Sequence, residues 1–256
     1  MQIASSRMEQ SRFVPGIMLA RASGLHPPSL SDLMELMGAA DWDRQWTDDV
    51  QLELHRVQVG TALFHEGAKA KYTYVVRCGT FKSIRTAEDG YEQVLAFTGP
   101  GEVLGFDAVH LGQHPVSAVA LESATAYALP IRGLSDLRRH VPAFDETLLA
   151  ALSRQMSHAS DIAEVMAAVA AEVRLARFIV QMSTRLAERG QSPYRMHLRM
   201  CRRDIASHLG VAHETVSRSF SALAQCGLVR IDNRELEIMN LEGLRELSRS
   251  TRGLVS

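Results

Sequence analysis

Apolar and polar positions change their rhythm along the chain. Between residues 50 and 130 they form short β-rich runs, LELHRVQV, YTYVVRCG, FKSIRT, YEQVLAF and SAVALESATAYAL, punctuated by Gly60, Gly67, Gly79, Gly90, Gly101 and Gly112. Short strands with turn signals at such intervals predict a compact all-β sandwich or barrel. After His140-Val141-Pro142 the period becomes helical. Leu148, Leu152, Met156, Ala159, Ile162, Met166 and Val169 step by three or four residues, close to the a/d seam of a two-helix dimer, with Gln155 as an interruption. The other reading of that stripe is a helix lying on its own domain. Upstream, residues 1–30 are rich in Ser, Arg and Met and read as loose, and LSDLMELM (Leu30–Met37) reads as a short helix. A further helix over Glu172–Arg189 stops at Gly190, before the break at Ser192-Pro193.

Residues 196–240 carry the most specific pattern. MHLRM reads as a strand, RRDIASHLG as a helix, and HETVSRSFSALAQCG as a second helix. LVRIDNRELEIMN then reads as a hairpin. Ile205 and Leu209 supply the apolar face of the first helix and Val216, Phe220 and Leu223 that of the second. Ala206 is small enough for a close crossing, and Gly210 suits the tight turn. This is a helix-turn-helix followed by a wing. With the apolar positions inward, His213, Glu214, Ser217 and Arg218 lie outward near the start of the second helix, with Thr215 among them. That end of the motif enters the DNA major groove. Arg can bond bidentately to guanine O6 and N7, and Glu can accept from the cytosine amino group; Ser or His bonds to several edges or phosphates. A glutamate facing DNA repels phosphate, so its presence points to base reading. A Glu214–Arg218 ion pair on a wet helix is the plainer reading, worth about 0.2–0.5 kcal/mol. Arg199, Arg202 and Arg203 are candidate phosphate contacts.

Charge supports that placement. The chain holds 28 Lys+Arg against 29 Asp+Glu. Residues 172–256 hold 14 arginines, no lysine and nine acidic residues, roughly +5, which leaves about −6 on the rest. A basic end joined to an acidic end points to a polyanionic partner. The 46% hydrophobic content suits a folded chain with cores of its own, and no run of 18 apolar residues predicts a membrane span. MQIASSRMEQSRF has no long apolar stretch and is not read as a secretory signal. Cys78, Cys201 and Cys226 lie far apart and form no CxxC, as expected in a reducing, cytoplasmic setting. No GxSxG, HExxH or P-loop occurs, so no enzyme is expected, and no catalytic or metal-binding residues are assigned.

The chain resembles the CRP/FNR family of bacterial transcription regulators, and within it the FNR-like, oxygen-responsive branch. The resemblance is carried by LFHEGAKAKYTYVVRCGTFKSIRTAEDGYEQVLAFTGPGEVLGFDAV, HPVSAVALE, RLARFIVQMSTRLAERGQSP and the helix-turn-helix. It implies an α+β chain: an extension over 1–45, a cyclic-nucleotide-binding-like jelly-roll (β-roll) over 46–145, a dimerisation helix over 146–171 and a winged helix-turn-helix over 172–256. It further implies a homodimer on double-stranded DNA. The branch carries E-x-x-S-R in its recognition helix, here Glu214, Ser217 and Arg218, which implies half-sites like TTGAT…ATCAA. CRP-like members have Gly where Ser217 stands and Arg where His213 stands. Family surface loops contact RNA polymerase, and AEDGYEQ (Ala87–Gln93) looks like the corresponding loop. Ala212 departs from the usual Ser or Thr N-cap, a difference of about 1 kcal/mol.

The resemblance also locates what is missing. Where cyclic-AMP-binding members have a glutamate and an arginine, this chain has Phe106 and Val116, so a buried cyclic phosphate would lack its cation and the ribose its acceptor. Where the oxygen-responsive branch has four cysteines on a [4Fe–4S] cluster, this chain has Leu25, Pro28, Met34 and Tyr127. Clusters need thiolates, so neither cyclic AMP nor that cluster is expected, and no cofactor is assigned. Haem at the exposed-looking segments around His26 and His114, or a redox thiol at Cys78, are alternatives; a small buried cysteine is the commoner fate of a residue like Cys78. A dimer without a signal is a further one, because Ala159 stands where the branch tends to have an acid on the seam. A rival of another class is a scaffold whose winged helix binds protein.

Overall fold

The computed structural model describes residues 18–19, 28–42 and 44–250. Its first elements are β1 (Met18–Leu19), α1 (Leu30–Leu36), α2 (Arg44–Thr47) and β2 (Val50–Gln51), with β1 antiparallel to β2. Helix α1 starts where its caps dictate. The Ser29 hydroxyl accepts from the Asp32 N–H, and the Asp32 carboxylate accepts from the Ser29 N–H, a capping box. Leu30, Leu33 and Met34 then point into the core.

The glycine-punctuated region forms β3 (Glu53–Val57), β4 (Ala62–Phe64), β5 (Tyr72–Cys78), β6 (Phe81–Thr86), β7 (Glu92–Thr98), β8 (Val103–Leu104), β9 (Ser117–Ala120) and β10 (Ala124–Pro130), with the short helix α3 (Ala108–Leu111) before β9. They make two four-stranded sheets, in the orders β3-β10-β5-β8 and β4-β9-β6-β7. Val76, Phe81, Ala118 and Ala126 meet in the core between them. The apolar run from Ser117 to Leu129 is two strands in different sheets, parted by the bend at Leu121–Ser123. Strands β4 and β8 were not visible in the apolar pattern, being only three and two residues long.

Helix α4 (Leu134–His140) runs into α5 (Pro142–Ala167), which opens on Pro142, a residue that forfeits no helical hydrogen bond in the first turn. The first turns of α5 lie on the β-roll. Phe144, Leu148 and Ala151 join Val75, Tyr127 and Leu129 in one core. The residues of the predicted seam differ in their surroundings within the chain. Leu148 is 2% exposed, buried against the β-roll of the same chain. Leu152 and Ile162 are half-buried, Leu152 against that same core. Val169 follows the end of the helix. Exposed residues along the helix include Leu149, Met156, Ala159, Ala163 and Met166, with half-buried Leu152 on their flank, and together they step by 3, 4, 3, 4 and 3. Met156 is 73% and Leu149 54% exposed.

The chain ends in α6 (Ala171–Glu188), β11 (Arg195–His197), α7 (Arg202–Leu209), α8 (His213–Gln225), β12 (Val229–Asp232), β13 (Glu235–Ile238) and α9 (Leu241–Arg249). The three strands form one antiparallel sheet in the order β11-β13-β12. Their core is Ile179, Leu198, Ile205, Leu209, Val216, Phe220, Leu223 and Leu244, with Val165 from α5.

Candidate nucleic-acid interface

Helices α7 and α8 take the predicted limits because local chemistry sets them. Helix α7 is preceded by Cys201 as its N-cap, whose backbone N–H donates to the Asp204 carboxylate at 3.0 Å. It ends at Gly210, which is left-handed at φ 62, a conformation that side chains with a Cβ rarely adopt. Arg174 closes the same end, donating to the carbonyls of Leu209 at 2.9 Å and Ala168 at 2.8 Å. Helix α8 opens at Ala212 with no side-chain cap. Val216, Phe220 and Leu223 are buried, and His213, Glu214, Ser217 and Arg218 are exposed along the opposite face. Thr215 is half-buried at the edge of that face.

The Glu214–Arg218 pair allowed by the spacing is not formed among the described residues. Arg218 Nη2 instead lies 3.4 Å from Thr215 Oγ1, and both charged ends remain at the surface. A carboxylate acceptor and a guanidinium fork thus stand one helical turn apart on an open face, beside the uncapped N–H groups of the helix start.

The candidate phosphate contacts divide. Arg203 is exposed in the first turn of α7. Arg202 is not a free cation: its guanidinium lies 3.7 Å from the Phe220 ring centroid and donates to the Asn233 carbonyl at the wing turn. Burial also lowers its pKa from the ordinary arginine value. Arg199 pairs with Glu122 of the β-roll at 3.2 Å. Much of the arginine surplus is similarly engaged. Arg177 is buried and donates to the carbonyls of Glu164, Ser248 and Ser250. Arg195 and Arg230 both pair with Glu237. The positive balance of this end is therefore only in part an electrostatic footprint.

Two stretches match family models: residues 173–247 a Crp-like helix-turn-helix domain, and residues 54–140 a cyclic nucleotide-binding domain. The chain is 34% identical over 198 residues, 77% of its length and 79% of the relative's, to the fumarate and nitrate reduction regulatory protein of Escherichia coli. The chain belongs to the CRP/FNR family. Its CRP/FNR fold is also that of FixK2 from Bradyrhizobium japonicum, at 25% identity and TM-score 0.68, over 80% of this chain and 99% of that one. A CRP/FNR-family transcriptional regulator from Thermus thermophilus has the same fold at 21% identity and TM-score 0.59, covering 78% of this chain and 100% of that one. This CRP/FNR chain is thus a transcription regulator with a helix-turn-helix DNA-binding domain, and its relatives are regulators rather than enzymes. No helix of the described residues is long and apolar enough to cross a membrane.

The described residues that the resemblance matches to ligand positions can be placed. Met34 and Tyr127 pack in the same apolar core, 0% and 2% exposed. The Pro28 carbonyl accepts from the Leu52 N–H at 2.8 Å, and Leu25 lies outside the described residues, as does His26. These residues offer no thiolate and do not fit an iron–sulfur cluster. Val116 belongs to the core between the sheets and Phe106 packs against the α5 core, so neither supplies polar partners for a cyclic phosphate. Two expectations are overturned. His114 is 3% exposed rather than at the surface, its ring stacked on Phe64 with centroids 3.8 Å apart. Cys78 is exposed rather than buried, its Sγ 3.1 Å from Thr125 Oγ1.

Proposed function

We propose that the protein binds a TTGAT-N4-ATCAA-type palindrome as a homodimer and activates transcription through contacts with RNA polymerase. The exposed row Glu214, Ser217 and Arg218 carries this reading. Each half-site has a single G·C pair. Arg218 forks onto guanine O6 and N7, and Glu214 accepts from the cytosine amino group, while Ser217 and His213 take flanking edges or phosphates. Arg203 holds the backbone. The outward stripe from Leu149 to Met166 is the face on which two copies meet, because its 3-4 alternation is that of a two-helix seam. The stretch Ala87–Gln93, a turn running into the start of β7 and exposed throughout, is the surface offered to polymerase. The apolar packing of Met34, Tyr127, Phe106 and Val116 supports regulation without cyclic nucleotide or iron–sulfur cluster.

Gel shifts at several salt concentrations test this. The TTGAT palindrome should stay bound at salt that strips off random duplex, and changing the half-site G·C pair should cost about 1–3 kcal/mol. Equal binding to both DNAs at every salt concentration would leave the scaffold reading in possession.

A further inference from the structure

The winged helix-turn-helix does not hang free of the β-roll. Strand β7 is the edge of its sheet, hydrogen-bonded only to β6. An open edge presents unpaired backbone groups that need a cover. Helix α7 supplies it. The Ser207 hydroxyl accepts from the Val94 N–H at 2.9 Å and from the Tyr91 hydroxyl at 3.2 Å, and donates to the Glu92 carbonyl at 3.0 Å. One donor and two acceptor sites are thereby filled, the full capacity of a hydroxyl. The next residue, His208, places Nδ1 3.4 Å from the Val94 carbonyl, and its ring meets Phe97 of β7 at a tilt and Phe178 of α6 edge-wise, the three rings packing on one another.

A charged pair stands one turn earlier. Lys82 of β6 donates to Asp204 at 2.8 Å, with side chains only 17% and 11% exposed. The other oxygen of Asp204 accepts from the backbone N–H and thiol of Cys201. Burial pushes this carboxyl up, but the bonds from Cys201 and Lys82 outweigh it and hold the pKa below the ordinary aspartate value. At the rim, Glu122 pairs with Arg199 and Glu102 with Arg189 at 2.8 Å.

These contacts form a continuous series from the β-roll to the recognition helix. Helix α8 is locked to α7 by the core around Ile205, Leu209, Val216 and Phe220. Helix α7 is seated on β7, and the other sheet of the β-roll packs on α5. We propose that Ser207 and the Lys82–Asp204 pair are positioning residues for DNA recognition: by seating α7 on the β7 edge, they set the direction of the recognition helix and so the half-site spacing that a dimer accepts. This rests on the palindromic, dimeric reading given above. Two extra base pairs between half-sites rotate one of them by about 70° and move it about 7 Å, which a seated helix cannot follow and an unseated one can.

The test uses the full chain as wild type, Ser207→Ala, Lys82→Met and the conservative Lys82→Arg. Each is titrated with a single TTGAT half-site and with palindromes of 4- and 6-base-pair spacers, and Val94 amide exchange is followed without DNA. Wild type and Lys82→Arg should prefer the shorter spacer by about tenfold or more, whereas Ser207→Ala and Lys82→Met should fall to about threefold or less with half-site affinity within about twofold. The Val94 amide should exchange faster in both, with the cores of β-roll and winged helix still protected. An unchanged spacer ratio overturns the positioning role, and so does an equal loss on half-site and palindrome, which marks a merely structural one. Tighter palindrome binding by the variants also overturns it, because the seat would then hold the helix away from DNA. A wild type that ignores the half-site defeats the proposed function and this inference with it, whereas the other three outcomes leave that function standing.

Discussion

At the residue scale function turns on α8, where Val216, Phe220 and Leu223 are buried while Glu214 and Arg218 stand exposed and form no ion pair with each other among the described residues. Arg218→Ala removes the one side chain able to fork onto guanine. Palindrome affinity should drop by about 1–3 kcal/mol at fixed salt, with preference at the G·C pair lost and binding to random duplex little changed. Competition gel shifts check both. Glu214→Gln should act differently, because it removes a charge that repels phosphate. Random duplex should bind more tightly, and the palindrome should lose its advantage. Ala212 makes a stability prediction on the same helix. It leaves the first N–H groups of α8 without a side-chain acceptor. Ala212→Ser should therefore stabilise the protein by about 1 kcal/mol, read as a higher denaturant midpoint at an unchanged slope.

At the element scale α5 has two apolar stripes one residue apart, with different partners. The stripe through Phe144, Leu148 and Ala151 belongs to the β-roll core, and the stripe through Leu149, Met156 and Ala163 faces out. Substitutions separate them. Met156→Asp should leave the monomer folded and weaken self-association by about 2 kcal/mol or more, seen by sedimentation equilibrium, since each copy loses an apolar contact and gains a facing like charge. Leu148→Ala should instead lower the stability of the subunit by about 2–5 kcal/mol, measured by denaturant unfolding. The same pair of stripes explains what the sequence could convey. Spacing shows that α5 has an apolar side, but Leu148 and Leu149 both satisfy a step of three or four, and only the contact with Tyr127 and Val75 tells them apart. The helix-turn-helix was legible because its signals are local: Ala206, Gly210 and three apolar steps lie within some twenty residues. Helices α4 and α9 had no comparable signal. Nor did the seat of α7 on β7, which joins Ser207 to Val94 across more than a hundred residues through a hydroxyl and an edge-strand amide, groups that carry no pattern.

At the scale of the whole molecule, the junction of the two folded units should give the protein a characteristic response to acid. His208 sits there 8% exposed, and burial among Phe97, Phe178 and β7 pushes its pKa from 6.5 down to about 4, with the Arg185 charge adding to the fall and the bond to the Val94 carbonyl opposing it. A histidine held neutral in the folded state takes up its proton more readily once released. The unfolded or unseated chain therefore binds more protons between about pH 6.5 and 4, and stability rises with pH across that window. The contribution is complete above the ordinary histidine value and is lost as pH falls towards 4, on the order of 3 kcal/mol over the interval. His114, also buried and also lowered, acts with the same sign but lies inside the β-roll. Asp204 is lowered as a carboxylate, so its contribution holds above the ordinary aspartate value and fails only at lower pH. His208→Phe keeps a ring packed against Phe97 and Phe178 and removes the proton site. Its denaturant midpoint should change less between pH 7 and pH 5 than that of wild type, and Val94 amide protection, which wild type should lose on acidification, should be kept. Equal pH slopes for the two proteins would mean that the junction is not where acid acts, and that the β-roll, through His114, yields first.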